Sequence, residues 1–246
     1  MFSRKEPLMK VVSVVEGLAE DEEVQPRIAN KFLPEWWKTM PNYLGVQNND
    51  FNVKNRTTAK LCPSFAHWFN QGIIIPAWCD MTFRYDKTSD TYSWLMGGNG
   101  SPYSVEHHSN DQFLDYLQHN YQGRRANFIF ALQCPWRIIT KRGWSVYQLP
   151  LLYHFEYNWS VMPGIINTDI THEINQQILY FHENNEEVFI PKGTPLVQYI
   201  PFKREKIQFT FRDATPKDLR TLKFSWLKLR SKHKNGYISM MKNKGE

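Results

Sequence analysis

The rhythm of apolar and polar positions changes about halfway along the chain. From Asn127 onward come NFIFALQ, WRIIT, WSVYQLPLLY, HEINQQILYF, EVFIP, LVQYIPF and KIQFTFR, runs rich in β-branched and aromatic residues and punctuated by Gly, Pro and Asn. Strand after strand of an all-β sandwich or barrel is predicted, ending near Arg212. The earlier half is mixed. QPRIANKFLPEWWKTMPNYL carries Ile28, Phe32, Trp36 and Trp37 at helical spacings, but Pro34 interrupts the run and Pro41 ends it, so two short helical pieces are predicted. PSFAHWFNQG, 63 to 72, opens with Pro and closes with Gly, the punctuation of a short helix. IIIPAWCDMTFRY and TYSWLMG flank the polar DKTSD and predict a hairpin.

Two more helices are expected. SNDQFLDYLQHNYQG offers Ser109 as a cap and Phe113, Leu114 and Leu117 on one face, ending at Gly123. TPKDLRTLKFSWLKLRSK offers Thr215 as a cap, Pro216 at the first helical position, and Leu219, Leu222, Trp226 and Leu229 at three- and four-residue spacings. The expected class is therefore mainly β (α+β). Its expected divisions are a mixed extension with short helices and a hairpin over 1–125, a β domain over 126–212, and a basic amphipathic helix and tail over 213–246.

Composition adds less than pattern does. At 246 residues the chain can bury a self-sufficient core, and 15% aromatic content with nine Trp fits a β-rich fold. The three cysteines, Cys62, Cys79 and Cys134, lack CxxC spacing, which fits a reducing cytoplasm. The apolar stretch near the start is too short and too charged for a signal peptide, and no run approaches membrane-spanning length. The expectation is a soluble protein without a membrane partner. The net charge of +6 is concentrated late, with nine Lys or Arg between Lys217 and Lys244 against Asp218. Such a tail is a solvated arm, a subunit contact or a nucleic-acid contact.

The chemistry-bearing residues are few. Cys62, His67, Cys79, His107 and His108 are metal-ligand types without the paired spacing of a zinc site, so no metal is expected there. GGNG, 97 to 100, lacks the following Lys-Ser/Thr of a phosphate loop. No Gly-x-Ser-x-Gly elbow is present. Asp169 and Glu173 are the notable carboxylates of the β region, four residues apart across a turn.

Residues 142 to 203 resemble the central half of the dUTP pyrophosphatase family, whose β-clip fold is shared with dCTP deaminases. Gly143-Trp144 matches the family's Pro-Gly-Tyr strand. Gly164, Ile165, Ile166, Thr168, Asp169, Glu173 and Ile174 fall in register with its nucleoside-holding hairpin, and Lys192, Gly193, Leu196 and Gln198 with its Lys-Gly-x-x-(Ile/Leu)-x-Gln turn. The resemblance implies a β-clip, jelly-roll-like sandwich or barrel, assembly as a homo-oligomer, commonly a trimer, and nucleotide contacts from Gly164, Ile166, Asn167, Asp169 and Gln198. For the reaction the departures matter more. Asn167 stands where the family has the Asp that orients its water, and an amide cannot accept that proton. Ile170 replaces the family's Tyr, and the apolar LPLLYHF replaces its Ser-bearing phosphate motif. Gln177 stands approximately where the deaminases carry Glu.

The expected function is therefore a non-catalytic or divergent dUTPase-like module, binding or structural, with no cofactor. One rival is a nucleotide pyrophosphatase or deaminase with Asp169 or Glu173 as base and Mg2+ on the phosphates. Another is a cupin-type oxygenase: FIPKGTPLVQYIP resembles the cupin Pro-x-Gly turn, and His172 and His182 flank a predicted strand, although Leu196 and Val197 stand where cupins place a His. FLPEWWKTMP together with PKGTPLVQYIPFKR also resembles uncharacterised proteins of large tailed phages, which implies a viral source acting in a host cytoplasm.

Overall fold

A computed structural model describes residues 7–44, 58–86, 88–89, 91–98, 105–112, 115–116, 120–121, 124–171, 176–182 and 187–231. In chain order its elements are β1 (Met9–Ser13), β2 (Arg27–Ile28), α1 (Glu35–Thr39), α2 (Pro63–Phe69), β3 (Ile73–Pro76), β4 (Met81–Asp86), β5 (Thr91–Met96) and β6 (Val105–His108). There follow β7 (Asn120–Tyr121), β8 (Arg124–Gln133), β9 (Trp136–Thr140), β10 (Trp144–Leu149), β11 (Trp159–Val161) and β12 (Gly164–Ile166). The last are β13 (Gln176–His182), β14 (Glu187–Ile190), β15 (Pro195–Lys203) and α3 (Pro216–Ser231). The chain divides into two compact units, Met1–Arg204 and Glu205–Glu246.

The first unit is a mainly β sandwich. Its sheets run β12-β10-β15-β3-β2, β11-β13-β8-β6, β14-β4-β5 and β1-β9, and no sheet closes on itself among the described strands. Each sheet combines strands from either side of residue 126. The continuous apolar run in β8 is explained by burial on both faces: Phe128, Phe130 and Leu132 point into the shared core, while Ile129 and Ala131 on the opposite face are also buried. Tyr199 of β15 is fully buried, and its hydroxyl donates to Gln148 Oε1 at 2.8 Å, while Gln148 Nε2 donates to the Met162 carbonyl. Tyr199→Phe removes that donor from a buried amide and is expected to cost about 1–2 kcal/mol in urea unfolding. A fully neutral result would mean that solvent reaches Gln148.

Several expected elements are present. Pro34 separates a 3-10 turn at Ala29–Phe32 from α1, and Pro63 opens α2. Their aromatics pack on one another and on the loop after β10: Trp37 lies against Phe65 and Phe69, and Trp36 donates through Nε1 to the Tyr153 carbonyl at 2.8 Å. The β4–β5 hairpin keeps its register from Met81↔Met96 to Asp86↔Thr91, and Asp86 closes its turn by accepting from the Thr88 amide and the Ser89 hydroxyl. In the second unit, α3 begins with a reciprocal cap. The Thr215 amide donates to Asp218 Oδ2 at 2.8 Å, and the Asp218 amide donates back to Thr215 Oγ1 at 3.3 Å.

Three expectations are corrected, and the early apolar stretch, to which the sequence pattern assigns no element, is a strand. KIQFTFR is not a strand: regular structure stops at Lys203 and resumes at Pro216, and the segment between pairs with no described strand. Its alternation has the right period but no ladder to join. Residues 109–123 do not form one helix, since a 3-10 turn at Asn110–Gln112 and β7 occupy its two ends; Phe113, Leu114 and Leu117 lie outside the described residues. The early apolar stretch supplies β1, which pairs with β9 from Met9↔Thr140 to Ser13↔Trp136. Finally, PGIINTDITHEI is not a hairpin, because β12 pairs with β10 whereas β13 pairs with β8 and β11. The Asn167 turn is instead a corner at which the chain leaves one sheet for another. No helix among the described residues is long and apolar enough to cross a membrane.

Candidate functional site

Three segments converge at this corner. The first is the tight turn between β9 and β10, where Gly143 has φ +82°. The second is the Asn167–Ile170 turn after β12, closed by the Ile170 and Thr171 amides donating to the Asn167 carbonyl at 2.9 and 3.0 Å. The third is the end of β15, which the Arg204 amide prolongs by donating to the Gly143 carbonyl at 2.8 Å. Thr168, 1% exposed, pins the turn to β9 through a 2.8 Å hydroxyl contact with Thr140.

Asp169 occupies the centre, with its side chain only 3% exposed. Arg204 grips it with two parallel bonds, Nη1 to Oδ1 and Nη2 to Oδ2, both 2.6 Å. The Gly143 amide adds a third donor to Oδ2 at 2.7 Å. The Arg204 guanidinium, then the Gly143 N–H, hold the carboxyl down at a pKa of about 2, against the desolvation that would raise it. Asn167 is equally committed. Its Oδ1 accepts from the Ser145 hydroxyl at 2.7 Å and from Arg204 Nη1 at 3.3 Å, and Ser145 Oγ accepts from Arg204 Nη1 at 2.8 Å.

Such a cluster is suited to holding three segments in one geometry and poorly suited to moving a proton. A carboxylate whose two oxygens take three donors, and whose pKa lies far below neutrality, is a feeble base. Ser145 is fully buried and engaged on both sides, so it is no nucleophile.

The other expected nucleotide contacts are dispersed. Ile166 packs on the core opposite Val146. Gly164 faces Gln148 at the edge of the sheet, and an added Cβ there would meet nothing within 4 Å, so close approach does not require glycine. Gln198 is buried and donates through Nε2 to the Gln71 carbonyl at 2.8 Å. It lies four residues along β15 from Phe202, the partner of Ser145, a separation of about 13 Å. Lys192 is ion-paired with Asp21 at 2.6 Å and Glu23 at 3.4 Å, tying the turn before β15 to the N-terminal loop. Glu173 and His172 lie outside the described residues, and His182 closes β13.

Arg204, which organises the cluster, carries no local sequence signal. It is one cation among Lys203, Arg204 and Lys206, distinguished only by the partner that the fold brings to it. Among the described residues no three His, Cys, Asp or Glu side chains are grouped to hold a metal ion. The three cysteines are free, and burial pushes the thiols of Cys79 and Cys134 up to about 11 and about 12, which makes them packing groups at neutral pH. No protein-family model matches the chain, and no curated protein matches it.

Proposed function

We propose that this protein is a binding or structural module that assembles with copies of itself and performs no nucleotide hydrolysis at the Asn167–Asp169 turn. The observation that carries the proposal is the state of Asp169, the one described carboxylate of the turn, both of whose oxygens are occupied by Arg204 and the Gly143 amide. On this reading the dUTPase-like run of residues 142 to 203 supplies a rigid corner, and the chemistry of that family is absent.

Self-assembly is supported by an apolar row on the same sheet. Ile165, 60% exposed, is paired with Tyr147, 39% exposed, and Tyr147 stacks on Phe202 with ring centroids 4.1 Å apart. A second copy would cover that row; the trimer is the form that the resemblance implies. Free, high-pKa thiols fit work in a reducing cytoplasm, a host's if the source is viral.

Light scattering on the purified protein tests assembly, and pyrophosphate release from dUTP with Mg2+ tests the chemistry. The expected results are a mass above that of the monomer, reduced by Ile165→Glu, and no release. A monomeric protein, or release that Asp169→Asn abolishes, would overturn the proposal. A panel of deoxynucleotides that raises the melting temperature would instead favour the pyrophosphatase or deaminase reading. Bound iron or manganese in the purified protein would favour an oxygenase.

A further inference from the structure

The 3-10 turn at Ala29–Phe32, α1 and α2 border a cleft that plays no part in the Asn167–Asp169 corner. It measures about 400 Å³, within the range of roughly 300–1,000 Å³ usual for small-molecule sites. Its wall is apolar, formed by Leu33, Trp37, Ala66 and Phe69, with the Trp37 and Phe69 ring centroids 4.7 Å apart. Its polar groups are Asn30, Asn70 and Lys31, and no described carboxylate lines it. The two amides fix each other's orientation. Asn70 Nδ2 donates to the Ala66 carbonyl at 2.7 Å, so its Oδ1 is the atom that accepts from Asn30 Nδ2 at 2.8 Å. Each amide keeps one N–H to spare. Lys31 is exposed and forms no ion pair among the described residues. Trp37 is 7% exposed, and its indole N–H, which is not sealed from solvent, has no acceptor among the described residues. That is unusual, because the N–H of a buried tryptophan ordinarily finds an acceptor.

We infer that this cleft binds a small organic acid, with its apolar body on the Trp37 and Phe69 rings and its carboxylate on the indole and amide N–H groups beside the Lys31 ammonium. The inference is independent of the assembly role proposed above. The balance of unused groups selects the ligand. They are side-chain N–H donors and one cation, with no described anion to match them. A carboxylate offers two oxygens that accept several such donors, and hydrogen bonds to an ionised group are about twice as strong as neutral ones. A single cation matches a single negative charge, which favours a monocarboxylate over a phosphate ester. A saccharide fits less well, because its hydroxyl hydrogens need acceptors and Asn30 Oδ1 is the one amide oxygen that takes no bond here. The ring-lined wall instead suits an aryl group, which gains from edge and offset contacts with Trp37 and Phe69.

The experiment titrates the full-length chain with phenylpropionate by calorimetry and follows its indole N–H resonances in parallel, the Trp37 signal being the one missing from Trp37→Phe. Saturable binding in the millimolar range or tighter is expected, with the Trp37 signal displaced. Phenylpropanamide, alike in shape but uncharged, should bind at least about tenfold more weakly. Lys31 is exposed and contributes less, so Lys31→Gln should weaken binding of the acid by about threefold. Ala66→Leu fills the cleft from α2 with another good helix former and should abolish binding in a protein that still melts cooperatively. If that variant does not fold, the acid–amide comparison and Lys31→Gln decide. No saturation by about 10 mM acid, equal affinity for the amide, or a Trp37 signal that stays in place overturns the inference. Unchanged binding to folded Ala66→Leu does the same. Binding of methyl glucoside in preference to the acid also overturns it, and reassigns the cleft to a saccharide.

Discussion

Gly72→Ala is expected to destabilise the first unit by about 3 kcal/mol or more, a large fraction of the roughly 5–15 kcal/mol that holds a typical domain folded. Gly72 ends the turn between α2 and β3 with φ +64°, a conformation that costs an L-residue about 1–2 kcal/mol. The greater penalty is steric. A Cβ at this position would lie 2.0 Å from the Tyr199 carbonyl oxygen, 2.8 Å from its carbonyl carbon and 3.0 Å from Ile200 Cα. All three are backbone atoms of β15, which is fixed between β10 and β3, so no side chain can swing aside. Gly98→Ala is the control, because Gly98 also has positive φ, +60°, but a Cβ there meets nothing within 4 Å. It should cost only the conformational penalty of about 1 kcal/mol. Urea unfolding of both variants checks the contrast; equal effects would mean that β15 does not pass over Gly72.

Arg204→Ala should lower the melting temperature by on the order of 10 °C. The substitution leaves the Asp169 carboxylate, 3% exposed, with the Gly143 amide as its remaining donor in the cluster. Asp169→Asn should cost less, because Arg204, 33% exposed, can turn toward water. Acid sensitivity distinguishes the two roles. An ordinary Asp titrates near about 3.9, whereas Asp169 is held at about 2 by Arg204 and the Gly143 amide. A carboxyl whose folded pKa is depressed stabilises the fold above its unfolded pKa, and that contribution drains away as pH falls through the folded value. The stabilisation is thus complete above about pH 4 and lost toward pH 2. Thermal melts across this interval should show a steeper acid loss for the parent than for Asp169→Asn. An identical acid limb in both would mean that the ion pair contributes nothing to stability.

The sequence reveals those features that depend on neighbours along the chain. The Pro34 and Pro63 boundaries, the polar turn at DKTSD and the Thr215 cap each rest on backbone geometry within a few residues, and all are present. The strands β8, β9 and β15 are legible because their long apolar runs need a sheet around them. Choice of partner is another matter. KIQFTFR and MKVVS both have strand-compatible patterns, yet only the second finds a ladder, on β9, more than a hundred residues away in sequence. The Gly164–Asp169 stretch has the residues of a hairpin, but β10 takes β12 and β8 takes β13, turning the stretch into a corner between sheets. The candidate site is legible to the same extent. Asn167 and Asp169 stand out as polar residues after an apolar strand, whereas Ser145 on β10 and Arg204 just past β15 become partners only through long-range packing.

Whether Asp169 is a structural anion or a base is decided by following its side-chain carboxyl resonance through an acid titration, with and without dUTP and Mg2+. A structural anion titrates with a midpoint at about 2 that the nucleotide does not move. A midpoint at or above the ordinary carboxylate range, or one displaced by nucleotide, would contradict that assignment.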